Sequence, residues 1–210
     1  MNLDILENLV NGSVRGTRLC LEAELFNSAL VLLYCGIDTA SSLDLALDKC
    51  SVQLRYTKWS DTYMFKGKPH DCTSLELYAA RCGVVHETSV ESTLSAEGKA
   101  RRIIYAWGDS KVDTLREMNE LAQMKDYVAV QFEDLVQAYE SGLTEFIESL
   151  RSSEERAGFA LRKAETCLVI RSKDEMHSLL KWGKSMLRRA DLTRTIECLS
   201  GEHRVAGNCL

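Results

Sequence analysis

The amino-acid sequence predicts a mainly α-helical protein, an antiparallel helical bundle with a small two-stranded β ribbon. The 210 residues include 1 proline and 12 glycines, which are too few for the many turns of an all-β fold. Apolar residues recur at helical spacing over most of the chain, whereas 99–107 and 127–131 are rich in β-branched and aromatic side chains. The length suits a single domain over 1–210 with one sizeable core.

The N-terminal quarter of the chain predicts three helices. A short amphipathic helix runs over 3–10 and ends at 11–12, an Asn-Gly pair, because glycine commonly follows a helix C-terminus. The second helix runs over 14–34 and is apolar on nearly all sides at 29–33, which is typical of a central core helix. Leucines then extend helical structure over 43–48.

The next stretch predicts a loop followed by one well-patterned helix. Over 50–70 aromatic side chains alternate with polar ones and a Gly-Lys-Pro tripeptide interrupts any regular element, so we expect a loop with a short helix near 54–63. A helix follows over 75–85, with Ser74 as its N-terminal cap. The polar residues after it predict a surface loop over 87–98.

The centre of the chain predicts two strands with a helix between them. The strands cover 99–107 and 127–131, and they can pair as a ribbon across the intervening helix. That helix covers 109–124, with Asp109 or Ser110 as its cap.

The C-terminal third is expected to be helical. Residues 132–172 form a long helical region that breaks around Ser152-Ser153 and Gly158. A last helix, rich in basic residues, is expected over 179–199.

The composition excludes some locations and classes. The longest apolar run, 29–35, is far shorter than the roughly 20 residues that cross a bilayer, so we expect no membrane association. The N-terminus carries acidic residues and no basic region, unlike a signal peptide. We therefore expect a cytoplasmic protein whose 8 cysteines are free thiols. A formal charge of −5 gives no overall preference for nucleic acid, so RNA would need a local basic patch.

Two basic runs are the local candidates for contact with a phosphate backbone. Lys99, Arg101 and Arg102 form the first run, at the start of the first predicted strand. The alternative for both runs is a solvated charged surface that binds no phosphate. The second run lies in the last predicted helix and comprises Lys181, Lys184, Arg188, Arg189 and Arg194.

The candidate functional residues lie at the end of the helix predicted over 75–85. Arg81 and His86 are separated by four residues and lead into a polar stretch, where functional groups tend to lie. A histidine can transfer protons near neutral pH, and an arginine can hold a phosphate. The spacing also recurs by chance, because Arg171 and His177 have five residues between them. A structural role for Arg81 is the alternative, in which it interacts with the helix dipole and the last carbonyls.

Two other chemistries remain open for the same stretch. Cys82 and His86 share a helix face at i and i+4, so the imidazole can activate the thiol as a nucleophile. His70 and Cys72 complete a set of four zinc-ligand types with them, although the spacing is tighter than usual and no Cys-x-x-Cys pair is present. Phosphate-binding, dinucleotide and serine-hydrolase motifs are missing, so we expect no cofactor. The zinc site stays an alternative, and our main expectation is a site without a metal.

The stretch around Arg81 resembles a known family. LYAARCGVVHETSVES, residues 77–92, resembles the signature of HEPN domains, an arginine followed after four to six residues by a histidine near a helix terminus. The earlier stretch NSALVLLYCGIDTASSL is similar to the core helix pair that precedes this motif. EGKARRIIYAWG and YVAVQFEDLVQAY resemble uncharacterised bacterial proteins of the same general type. The resemblance covers about 3–92 as a HEPN-like helical unit and leaves a helical extension over about 99–200.

The resemblance implies an α-helical domain that forms a homodimer. Many HEPN members are metal-independent endoribonucleases, often toxins or defence effectors, in which the RNA 2′-hydroxyl attacks the adjacent phosphate and leaves a 2′,3′-cyclic end. By this resemblance His86 transfers a proton and Arg81 holds the phosphate. Asp38 then orients Arg81 or His86, with a helix cap as its alternative role.

One residue departs from the family pattern. HEPN nucleases usually carry a polar residue directly after the arginine, whereas this chain has Cys82. Other HEPN members are inactive scaffolds. The alternative function is therefore a non-catalytic dimeric interaction protein, with an antitoxin or a bacterial defence protein as its partner.

Overall fold

The structure is a computed structural model. Its described residues form mostly helices, together with one two-stranded sheet. The prediction of a mainly helical protein with one small pair of strands is therefore confirmed. The chain divides into two compact units, Met1–Cys167 and Leu168–Leu210. None of the described helices combines the length and hydropathy needed to cross a membrane. The structure describes residues 3–67, 70–87, 89–166, 177–178, 180–182 and 184–186.

The first helix is longer than its sequence pattern predicts. Helix α1 (Asp4–Glu22) continues through Gly12, which lies on an exposed part of the helix. It ends where Glu24 adopts a φ of 56° and the next amide donates to the carbonyl of Cys20 at 2.7 Å. This is the left-handed termination that glycine usually provides, here made by glutamate. The predicted helix end at Gly12 and the single helix over 14–34 are therefore wrong.

The central helix and the region after it are more helical than expected. Helix α2 (Phe26–Ser42) is followed by a 3₁₀ turn at Leu45–Leu47, by helix α3 (Val52–Trp59) and by a π-helical turn at Ser60–Met64. The short helix predicted near 54–63 is therefore present, and it begins and ends slightly outside those bounds. Trp59 is fully buried, and the burial of such a large aromatic side chain stabilises the helical turns on both sides of it.

Helix α4 (Ser74–Glu87) begins with a capping box. The Thr73 amide donates to the carboxylate of Glu76 at 2.8 Å, and the Glu76 amide lies 3.2 Å from the Thr73 hydroxyl. Ser74 is thus the first residue of the helix, and the prediction that it caps the helix is wrong. Arg101 also donates to the Glu76 carboxylate, at 2.5 Å, which links the start of α4 to the chain before the first strand.

The sheet consists of two parallel strands. Strand β1 (Arg102–Ala106) pairs with strand β2 (Tyr127–Gln131), with Arg102 opposite Tyr127. The parallel direction follows from the connection, because a helix between two strands returns the chain to the same end of the sheet.

Two connecting segments differ from the predictions. The expected loop over 87–98 contains the short helix α5 (Thr93–Ala96), which Ser92 caps by accepting the amide hydrogen of Ser95. Helix α6 (Val112–Leu121) begins after Lys111 without a side-chain cap, so neither predicted cap, Asp109 or Ser110, forms one.

The C-terminal part of the first unit contains two helices. Helix α7 (Phe132–Arg151) and helix α8 (Glu154–Ala164) are separated at Ser152-Ser153, as predicted. Gly158 lies inside α8 and causes no break. Of the last predicted helix, over 179–199, the described residues 180–182 and 184–186 are helical and the others lie outside the described part.

The core joins the N-terminal helices to α7. The buried hydroxyl of Tyr139 lies 2.8 Å from that of Ser13, and Trp59 packs edge-on against Phe146 with ring centroids 5.9 Å apart. A Cβ atom added at Gly36 would overlap the Tyr139 hydroxyl and lie 2.8 Å from the Ser13 Oγ. Residues of α1, α2 and α7 therefore meet at a point where only a glycine fits.

We expect Gly36→Ala to destabilise the protein and Gly12→Ala to stabilise it. The first change overpacks a closely filled site, at a cost of about 1–3 kcal/mol. The second replaces an exposed helical glycine with nothing within 4 Å of its added Cβ, and should gain about 0.5–1 kcal/mol. Urea unfolding of both variants measures these differences, and equal shifts in the two would contradict the close packing at Gly36.

We also expect the Glu76 carboxylate to make stability depend on pH. Burial acts to raise its pKa, but hydrogen bonds from Arg101 and the Thr73 amide together lower it below the ordinary 4.5. A depressed pKa gives stability that is present above the unfolded pKa and is lost as pH falls through the folded pKa. Glu76→Gln should therefore cost about 1–3 kcal/mol at pH 7. Its deficit relative to the wild type should shrink below about pH 4.5, as measured by urea unfolding across a pH series.

Candidate functional site

The structure brings Asp38, Arg81 and His86 together. Asp38 lies on α2, and Arg81 and His86 lie on α4. The Arg81 Nε atom donates to Asp38 Oδ2 at 2.7 Å, and its Nη2 atom lies 2.5 Å from the same oxygen. On its other side, Arg81 Nη1 lies 2.7 Å from His86 Nε2. The guanidinium thus bridges a carboxylate and an imidazole.

The three side chains differ in their access to solvent. The Arg81 and Asp38 side chains are 14% and 19% exposed, whereas His86 is exposed. Burial acts to lower the pKa of Arg81, but the hydrogen bond to Asp38 and the charge of that carboxylate outweigh it, so the pKa lies above its ordinary value. Arg81 is therefore a permanent, largely covered cation with an accessible imidazole beside it.

The contact between Arg81 and His86 defines the hydrogen-bonding role of the imidazole. A guanidinium carries only donors, so His86 Nε2 must accept the hydrogen bond from Arg81 Nη1. The proton of a neutral imidazole then lies on Nδ1. In this arrangement the lone pair of Nε2 accepts the hydrogen bond from Arg81, so Nε2 can take a proton from another group only when that bond opens.

Arg81 does not contact the last carbonyls of its helix in the described part of the chain, and Asp38 does not cap a helix. Helix α4 continues beyond Arg81 to Glu87, and in the described part of the chain its guanidinium contacts side chains rather than the last carbonyls of the helix. Asp38 lies inside α2, which ends at Ser42, so it is not a helix cap.

The chain after α4 returns across the helix at Gly83. The Ser89 amide donates to the Gly83 carbonyl at 3.1 Å. A Cβ atom added at Gly83 would lie 2.5 Å from the Ser89 carbonyl oxygen and 2.7 Å from that of Glu91. The close return therefore requires glycine, and it places the segment after α4 beside the helix turn that carries His86. The sequence contains this glycine, but spacing alone does not show which chain approaches it.

Sequence reasoning missed a buried tyrosine on α3. Tyr56 is fully buried, and among the described residues neither its hydroxyl nor the buried Oδ1 of Asp38 has a hydrogen-bond partner. Burial raises the pKa of Tyr56 well above its usual value, and the charge of Asp38 raises it further. Its ring also packs edge-on against Tyr78 of α4, with centroids 5.5 Å apart. Tyr56 therefore belongs to the buried side of the site.

The thiol and zinc alternatives find no supporting geometry in the described residues. No hydrogen bond joins Cys82 to His86 there, because His86 Nε2 faces Arg81. Burial raises the pKa of the free Cys72 thiol to about 12. His70 stacks near Phe65, with ring centroids 4.3 Å apart. No group of three or more His, Cys, Asp or Glu side chains in the described part is placed to hold a metal ion.

The first basic run does not form a free basic patch. Lys99 pairs with Glu97 at 2.7 Å, Arg101 pairs with Glu76, and Arg102 pairs with Glu91. Each positive charge is therefore matched by a nearby carboxylate. In the second run Lys181 and Lys184 are exposed and helical. Its three arginines, and Arg171 of the second arginine-histidine match, lie outside the described residues.

Comparison with known proteins adds no relative to this picture. No protein-family model, curated protein or solved structure matches the chain.

We expect Asp38→Asn to destabilise the protein by about 1–3 kcal/mol. The change removes the charge that balances the largely covered Arg81 and weakens the hydrogen bond it accepts. Arg151→Gln is the control, because Arg151 pairs with Glu7 at a site where their side chains are 57% and 35% exposed. That variant should differ from the wild type by less than about 1 kcal/mol. If urea unfolding shows the same loss of unfolding free energy in both variants, the Asp38–Arg81 pair stabilises the protein no more than an exposed ion pair does.

Proposed function

We propose that this protein is a HEPN-like RNA-binding protein that cleaves RNA without a metal ion, using Arg81 and His86. The observation that carries the proposal is the contact between Arg81 Nη1 and His86 Nε2, with Asp38 holding the opposite side of the guanidinium. A fixed cation beside an accessible imidazole is the pair of groups that phosphodiester cleavage by an internal hydroxyl requires.

The cleavage step uses only groups of the RNA and of this chain. His86 Nε2 takes the proton of the 2′-hydroxyl as the 2′-oxygen attacks phosphorus and the bond from phosphorus to the 5′-oxygen breaks. The departing 5′-oxygen receives a proton from the imidazolium, which returns His86 to its neutral form. Arg81 stabilises the charge that develops on the phosphate oxygens. The hydrogen bond from Arg81 Nη1 to His86 Nε2 must open first, because the imidazole nitrogen has one lone pair. The guanidinium stays paired with Asp38, and its N–H donors that do not face Asp38 can then hold the phosphate.

The proposal includes an antiparallel HEPN-like bundle and a homodimer. In a symmetric pair the same surface of both copies forms the interface, so two Arg81–His86 pairs can share one cleft. One histidine can then act as the base and its counterpart as the acid. The family resemblance over about residues 3–92 supports this arrangement.

The second candidate is a non-catalytic dimeric interaction protein of a bacterial toxin–antitoxin or defence system. One observation favours it: Arg81 is 14% exposed and its charge is balanced by Asp38. An arginine of this kind also serves to join two helices. In this case the partner is a protein, and His86 is a surface side chain.

We expect His86→Ala to abolish metal-independent RNA cleavage. Wild-type protein and variant are incubated with a mixed RNA pool in EDTA, and the product ends are analysed for 2′,3′-cyclic phosphate. Loss of the proton-transfer group should reduce the rate by about 10²–10⁴-fold. His177→Ala is the matched control, because His177 is the exposed histidine of the second arginine-histidine match, and it should leave cleavage unchanged.

The result also separates the two candidate functions. Cyclic ends that disappear only in His86→Ala assign the activity to this site. Cleavage that is absent from the wild type, or equal in the wild type and His86→Ala, refutes the nuclease proposal and leaves the interaction protein as the function to test.

A further inference from the structure

A largely apolar groove lies beside the candidate site. It has a volume of about 600 Å³, within the roughly 300–1,000 Å³ of typical small-molecule sites. Phe26 is 38% exposed and Val90 is 62% exposed, although both are large apolar side chains. Phe26 and Trp107 meet edge to face, with ring centroids 5.9 Å apart. We call it the Trp107 groove; its apolar lining includes Phe26, Val31, Val84, Val90, Ile104 and Trp107.

The polar groups of the Trp107 groove are few and suit a planar, hydrogen-bonding ligand. Asn27 lies at the groove, and its amide offers both a donor and an acceptor, as the edge of a nucleobase does. Ser110 and Tyr127 add hydroxyl groups. The Arg102 guanidinium lies over the Tyr127 ring next to the groove, 5.5 Å from its centroid, and its charge is paired with Glu91.

The groove and the candidate site share the same two helices. On α2, Val31 precedes Asp38 by two turns, about 10 Å along the axis, and the two residues lie on one face. On α4, Val84 follows Arg81 by less than one turn, about 4.5 Å along the axis. The near part of the groove therefore lies beside Arg81. Trp107 lies further away, because Phe26, which it meets, precedes Asp38 by twelve residues, about 18 Å along the axis of α2. With a phosphate at Arg81, an RNA strand that follows the groove would reach Trp107 with a base further along the strand.

We propose that the Trp107 groove binds an RNA strand that has a phosphate at Arg81, with a nucleobase further along the strand stacked on Trp107. Aromatic side chains are the usual stacking surfaces for unpaired RNA bases, and a net charge of −5 leaves base stacking as the main source of attraction. The proposal rests on the proposed function, because it names the part of the RNA that the same site would recognise.

Binding of a non-cleavable RNA tests the groove separately from cleavage. The probe is a short, fluorescein-labelled 2′-O-methyl RNA of mixed sequence, followed by fluorescence anisotropy in EDTA. Trp107→Ala should weaken binding about 5-fold to 150-fold, the change that corresponds to losing one stacked base. Trp107→Phe keeps an aromatic ring and should restore most of the affinity. Leu121→Ala removes an exposed apolar side chain of α6 outside the groove and should have no effect.

A second measurement separates failure of the groove from failure of the nuclease. Nucleoside monophosphates should quench the fluorescence of Trp107, and the quenching should be absent in Trp107→Phe and retained in His86→Ala. This result without RNA cleavage would support the groove and refute the nuclease. Equal RNA binding by wild type and Trp107→Ala would overturn the groove, as would a wild type that binds neither probe. Cleavage that depends on His86 would in either case leave the proposed function standing.

Discussion

The ion pair between Asp38 and Arg81 is the interaction on which the candidate site depends. It joins α2, the apolar centre of the helices, to α4, and both side chains are more than four-fifths covered. Two covered charges are stable only as a pair, because removal of either leaves the other without compensation away from water. The pair therefore fixes the rotation of Arg81 as well as the distance between the helices. Asp38 Oδ2 faces Nε and Nη2, and this leaves Nη1 for His86.

Glycines determine how closely the surrounding chain can approach these helices. At Gly36 the side chains of Ser13 and Tyr139 occupy the space that a Cβ atom would need. At Gly83 the returning main chain of Ser89 and Glu91 does so. The first contact keeps α1 and α7 against α2, and the second holds the end of α4. The position of His86 is therefore set by close main-chain packing as well as by its bond to Arg81.

Sequence pattern predicted the elements that depend on local chemistry. The helix that carries Arg81 and His86, the two strands and the break at Ser152-Ser153 all follow from periodicity, propensity or turn residues. The helix cap is Thr73, which forms a Thr-x-x-Glu pattern with Glu76 and lies one residue before the predicted cap, Ser74.

The errors arose where tertiary contacts override local preference. Glu24 and Gln123 adopt positive φ angles and end their helices without glycine, while Gly12 continues one. Tertiary packing determines where these helices end, and the conformational preferences of single residues do not predict it. The partner of Arg81 was named as Asp38 only through a family resemblance, because 43 positions separate the two residues. The role of Tyr56 depends on burial that its sequence position does not indicate.

The departure at Cys82 from the family pattern is easier to understand from the contacts of Arg81. A thiol is a weak hydrogen-bond acceptor and cannot orient a guanidinium as a carboxylate does. In this chain Asp38 supplies that function from α2, and it does so with an ionised oxygen at 2.7 Å. If the polar residue after the arginine serves in related sites to hold the arginine, its replacement by cysteine removes no function that Asp38 does not already supply. In the proposed nuclease, His86 would then accept the proton and Asp38 would keep Arg81 beside it.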